Sequence, residues 1–153
     1  MKSYTDLEQS KKLADILPVE SADMCWARDD DTMQYDDKPY LNPYKNYTAK
    51  EYYLPCYSLA ALLSALHYTI KLPYDTIDAG GNRAYANERY KISINRCGLF
   101  GDKWNIQYYG THPRRLGKRY KKLYINLFLS KNYDNLVDAC VEMITTLHKE
   151  KLL

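Results

Sequence analysis

A switch in hydrophobic period between residues 90 and 147 limits this chain to folds that mix strands with helices. Tyr90, Ile92 and Ile94 alternate with Lys91, Ser93 and Asn95, and Trp104, Ile106 and Tyr108 alternate with Asn105, Gln107 and Tyr109. Leu123, Ile125, Leu127 and Leu129 alternate with Tyr124, Asn126 and Phe128 in the same way. A two-residue period is that of a strand with one face on a core. The loop holding Gly98 and Gly101 makes the first two segments an antiparallel hairpin, and the third is expected to extend the same sheet. Leu136, Val137, Cys140, Val141, Ile144 and Leu147 then recur at three and four residues, the period of a helix that buries one side, with caps for its start at Asn132 to Asp134.

The N-terminal half carries the same mixture. Thr5 and Glu8 have the spacing of a capping box and predict a helix over 6–17, with Leu7, Leu13, Ala14, Ile16 and Leu17 on its apolar side and Pro18 as its stop. Ala22, Met24 and Trp26 alternate with Ser21, Asp23 and Cys25, which predicts a strand. Pro55 suits the first turn of a second helix, whose buried side would be Leu59, Leu62, Leu63 and Leu66. Residues 29–54 are long for a structureless loop and are expected to hold a short hairpin or to pack through their tyrosine rings, while 68–87 read as loop. The fold class is therefore α+β: an antiparallel or mixed sheet of about three to five strands with three helices packed mainly on one face. At 153 residues the chain is expected to form a single domain over 1–153.

No apolar run approaches the roughly 20 residues needed to cross a bilayer, and the first residues lack the pattern of a secretory signal, so a cytoplasmic protein that does not enter membranes is expected. Cys25, Cys56, Cys97 and Cys140 are widely spaced with no Cys-x-x-Cys pair, as expected of reduced thiols, with Cys25 and Cys140 in the core. The net charge of +3 says little, but its distribution says more. Residues 29–37 hold five aspartates, and Arg114 to Lys122 hold six Lys or Arg with no acid among them. Tyrosine occurs 17 times against two Phe and two Trp, and it supplies flat apolar faces with a polar edge, suited to binding surfaces.

The basic segment joins two predicted strands and has Tyr108, Tyr109, Tyr120 and Tyr124 as neighbours. Cations neutralise phosphate and aromatic faces stack on bases, so the combination suits a nucleotide-like small ligand or a nucleic acid. Arg114, Arg115, Lys118 and Arg119 would contact phosphate and the four tyrosines would stack. The competing readings are a solvated hairpin tip, a basic patch that docks the acidic 29–37 segment of a neighbouring subunit, and a surface for a protein partner. Cys56, at the expected start of the second helix, is a candidate nucleophile, with His67, His112 and His148 as the available bases. The aspartates of 29–37 lack the spacing and glycine of a calcium loop, and neither Gly80-Gly81-Asn82 nor Gly98 to Gly101 precedes a helix as a phosphate loop does, so no metal or cofactor is expected.

In three places the chain resembles small proteins carried by phages and mobile elements of gut bacteria. These are Leu17-Pro18 with Ser21 to Met24 and Trp26, Pro55 to Leu63, and Asp134 to Ile144. The group has no established activity, and the resemblance implies an accessory or counter-defence setting rather than a mechanism. The leading expectation is a non-catalytic, oligomeric binding protein that captures a nucleotide-like or other phosphate-bearing ligand. The alternatives are a module that binds and blocks a host protein and a Cys56-dependent hydrolase or transferase.

Overall fold

The computed structural model describes residues 2–29, 31–41, 53–73, 75–77, 83–84, 89–99, 101–116 and 119–153, and between 111 and 126 it describes the backbone. Within these the chain is α+β, and every strand pair is antiparallel. Strands β1 (Met24–Ala27), β2 (Tyr40–Leu41) and β3 (Tyr53–Cys56) form one sheet in the order β2-β1-β3. Strands β4 (Thr69–Lys71), β7 (Arg89–Cys97), β8 (Lys103–Leu116) and β9 (Arg119–Leu129) form a second in the order β4-β7-β8-β9, and β5 (Thr76–Ile77) pairs with β6 (Arg83–Ala84) in a third. The helices are α1 (Leu7–Ala14), α2 (Leu59–Ala65) and α3 (Leu136–Lys149). None of them is long and apolar enough to cross a membrane.

Helix α3 lies at the centre. The stripe of Val137, Cys140, Val141, Ile144 and Leu147 is buried against Tyr90, Ile106 and Tyr108 of the four-stranded sheet on one side and Leu13 and Leu62 of α1 and α2 on the other. Its start is fixed by Asn135, whose side chain accepts from the Asp138 N–H at 2.9 Å. It ends with Lys151 in the left-handed region at φ 57° and Leu152 N–H bonded to Leu147 O, a Schellman closure with lysine where glycine is usual.

The first helix is capped one residue later than the sequence suggests. Asp6, not Thr5, forms the capping box, with Gln9 as its partner, and the helix ends at Ala14 rather than 17. Thr5 is instead buried and knits the N-terminal segment to β3: its N–H donates to Tyr57 O, and its hydroxyl accepts from Tyr57 N–H and pairs with Ser10 Oγ at 2.7 Å. The indole N–H of Trp26 donates to the same Ser10 oxygen at 3.0 Å.

The second helix also starts later. Pro55 lies in β3, opposite Cys25, and an edge strand tolerates a residue with no N–H to donate. The cap is Ser58, which accepts from Ala61 N–H and is itself tied to the Asp23 carboxylate. Of the 29–54 segment, the described part folds back on β1: β2 pairs with Met24 and Cys25, and Tyr35 bridges to Arg28. The expected loop over 68–87 contains β4, β5 and β6, too short to show a period of their own. Cys140 is in the core as expected, whereas Cys25 is only half-buried.

Candidate functional site

The three strands of the alternating region all form, and β8 and β9 run much further than their hydrophobic parts. β7 pairs with β8 from Cys97↔Lys103 to Lys91↔Tyr109. Beyond that point β8 and β9 continue together, from Gly110↔Ile125 to Leu116↔Arg119, as a two-stranded ribbon. The basic segment is thus not a loop between strands but the far end of both of them, with Pro113↔Lys122, Arg114↔Lys121 and Arg115↔Tyr120 in register.

Two local features let the ribbon leave the sheet. At the exit the Tyr90 ring lies on Gly110, where an added Cβ would stand 2.9 Å from two ring carbons, so the close approach requires glycine. On β9 the register steps between Tyr108↔Phe128 and Tyr109↔Asn126, leaving Leu127 as a bulge residue. The bulge breaks the expected alternation: Leu127 and Phe128 both pack on the core, and Leu129 is 57% exposed.

Tyr108 does not belong to a binding surface. It is fully buried, its hydroxyl donates to His67 O at 2.5 Å, and burial pushes its pKa up to about 12. Alternation along β8 puts Tyr109 on the opposite face, half-exposed and in register with Lys91 and Asn126. Arg114, Arg115, Arg119, Tyr120 and Tyr124 occupy ribbon positions known from the backbone register, and Lys118 lies outside the described residues. The strand fold adds cations that the basic segment alone does not suggest. Lys71 and Arg89 are exposed and directly opposed on β4 and β7, and Lys91 follows on the same face. Lys91 sits on the polar side of the period-two pattern, a signal legible in the sequence, whereas Lys71 falls in the stretch that reads as loop.

Cys56 is not at a helix start. It ends β3, is fully buried, and its thiol lies 3.6 Å from Thr5 Oγ1. Burial pushes its pKa up, against the partial opposing effect of Thr5 and Ser10, so the conditions that would make a reactive thiolate are missing. The aspartate segment forms a turn: Asp29 accepts from the N–H groups of Asp31 and Thr32 and from the Thr32 hydroxyl. Among the described residues no group of His, Cys, Asp and Glu could hold a metal ion.

A cleft of about 730 Å³ between α1 and α3 is lined by Lys2, Gln9, Tyr133, Asp138, Glu142 and Lys149, among others. Lys2, Asp6 and Asp138 are engaged with one another. Lys2 Nζ donates to Asp6 at 2.8 Å, Gln9 at 2.6 Å and Asp138 at 3.0 Å, which fills its three donor positions. Asp138 also receives the Gln9 amide and the Asn135 side chain, and Glu142 accepts from Lys131 N–H at 2.6 Å. The cleft reads as a brace between helices.

No protein-family model, no curated protein and no solved structure matches the chain.

Proposed function

We propose that this chain is a non-catalytic binding protein that captures a nucleotide-like or other phosphate-bearing ligand on the four-stranded sheet and its ribbon. The observation that carries the reading is the sign of the charge. Arg89, Lys91 and Arg96 on β7, Lys103, Arg114 and Arg115 on β8, and Arg119, Lys121 and Lys122 on β9 are accompanied by no Asp or Glu on any of these strands. Lys71 adds to them on β4.

Two pairs, Lys71↔Arg89 and Arg114↔Lys121, are directly opposed like charges. Such a pair costs about 0.2–1 kcal/mol relative to a neutral one, and a bound anion turns the cost into attraction. The burial of Cys56 supports a binding role over the thiol-dependent one. In the mobile-element setting that the resemblance implies, capture of a host nucleotide signal would serve counter-defence.

The test is native mass spectrometry of protein from its natural host culture, followed by denaturation to release what is bound. A nucleotide or oligonucleotide mass that disappears in Arg114→Ala/Arg115→Ala, with the circular dichroism spectrum unchanged, is the expected result. A retained protein partner whose binding ignores salt would overturn this reading in favour of a protein-interaction module, since phosphate recognition by cations weakens as salt rises.

A further inference from the structure

Resting on the phosphate-ligand reading, we infer that the bound species is a single-stranded nucleic acid several nucleotides long, lying along the sheet face that α3 leaves uncovered. The antiparallel register assigns residues to that face by alternation from Tyr109, since Tyr108 points into the core. Thr69, Lys91, Tyr109 and Asn126 form one row, and Lys71 and Arg89 oppose one another one step closer to the ribbon. Further along the ribbon, the positions Thr111↔Tyr124, Pro113↔Lys122 and Arg115↔Tyr120 share the face. Cations therefore stand at both ends of a track along which tyrosine recurs.

Length argues against a lone nucleotide. From Tyr109 to Arg115 the ribbon advances six residues, or about 20 Å at a strand's rise. A strand of duplex nucleic acid carries one charge about every 3.4 Å, so cations at the two ends of this span match phosphates several nucleotides apart on one chain and not those of one small molecule. The tyrosines argue against a duplex, in which the base faces are stacked on one another. In a single strand they are free to lie on aromatic rings, the combination by which sequence-tolerant single-strand binders work.

The experiment is fluorescence anisotropy with a labelled oligothymidylate of about ten nucleotides, within the usual site size of such folds, using unlabelled ATP and a duplex of equal length as competitors. Wild type is expected to bind the single strand at least about tenfold more tightly than the duplex, with ATP a weak competitor. Arg89→Gln/Lys91→Gln is expected to weaken binding about tenfold or more and to lower the slope of log Kd against log salt by about 0.7 for each phosphate no longer neutralised. Lys71→Gln, on an exposed edge position, carries the same test should the double variant unfold.

ATP displacing the oligonucleotide at equal concentration, with loss of binding in Arg114→Ala/Arg115→Ala but not in Arg89→Gln/Lys91→Gln, would overturn the extended strand and keep the phosphate ligand. Equal affinity for the duplex would overturn the single-strand assignment. Failure to bind the oligonucleotide, the duplex or ATP would overturn both readings.

Discussion

Lys2 and Lys71 both reach the surface, and their surroundings differ in kind. Lys2 has two carboxylates and an amide oxygen within 3.0 Å, supplied by Asp6, Asp138 and Gln9. Lys71 faces Arg89 across a strand pair. Around Lys2 the chain meets its own electrostatic needs, and just beneath that region Thr5, Ser10 and Trp26 satisfy one another in the core. The outer face of the four-stranded sheet lacks acids on any of its strands, so balance there has to come from outside the sheet. If the sheet face is kept for a partner, as proposed, it should respond to substitution oppositely to a region that contributes to folding, and that contrast can be broken at three points.

The largest effect is expected at Ser10. Its buried hydroxyl is the shared partner of Trp26 Nε1–H and Thr5 Oγ1. Ser10→Ala leaves an indole N–H without a partner in the core and weakens the Thr5 tie to β3, which should cost about 2–3 kcal/mol by urea denaturation. Because no ion is involved, the loss should be the same in low and high salt. A loss below about 0.5 kcal/mol would mean the buried knot is not what holds the N-terminal segment to β3.

The legibility of the two regions in the sequence differs for a related reason. Long periodic segments are readable: the stripe from Val137 to Leu147 and the alternation from Tyr90 to Tyr108 point to α3, the β7–β8 hairpin and the α+β class, because a helix or strand that buries one face must repeat. The ends are less so. Thr5 has the spacing of a cap, but its hydroxyl is engaged by Ser10 and Tyr57, and neighbouring Asp6 takes the role. Pro55 resembles a helix start because proline suits both a first turn and an edge strand, and the pairing with Cys25 that decides between them is not local.

Of the candidate site, the basic segment and Tyr109 are visible in the sequence, whereas Tyr108 is committed to the core because only one of two adjacent strand residues can face outward. The opposition of Lys71 and Arg89 depends on a three-residue strand too short to leave a pattern.

A smaller effect, with a pH signature, is expected at Lys2. Burial alone would raise the Asp138 pKa, but the bonds from Gln9, Lys2 and Asn135 outweigh it and hold the carboxyl below its ordinary 3.8. Asp6 is depressed in the same way, chiefly by Lys2 acting against burial. Lys2 itself is held above 10.5, the bonds to Asp6 and Asp138 outweighing its burial. A depressed carboxyl stabilises the fold fully above its unfolded value and loses that contribution as pH falls through the folded one. A raised lysine stabilises fully below its unfolded value and loses the contribution as pH climbs through the folded one.

Wild type should therefore exceed Lys2→Met by about 1 kcal/mol on a plateau from about pH 5 to 9, with the difference closing below pH 3.8 and above 10.5. Denaturation midpoints across that range would check it. A difference that grows toward acid would show that the brace acts through something other than these charges.

The smallest effect is the most telling, because its sign is reversed. Lys71→Glu replaces a like-charged cross-strand pair with an opposite one on an exposed edge, and Ile70, the buried residue of β4, is untouched. Stability should rise by about 0.2–1 kcal/mol at low salt, and the gain should fade as salt screens it. The same substitution should weaken oligonucleotide binding, since it places an anion where a phosphate is expected. Thermal denaturation and anisotropy on one preparation give both numbers. A more stable protein that binds less well is the behaviour of a residue retained at the expense of the fold, as binding sites commonly are. A fall in stability would mean that Lys71 serves the fold after all, as Lys2 does, and the distinction between the two surfaces would disappear.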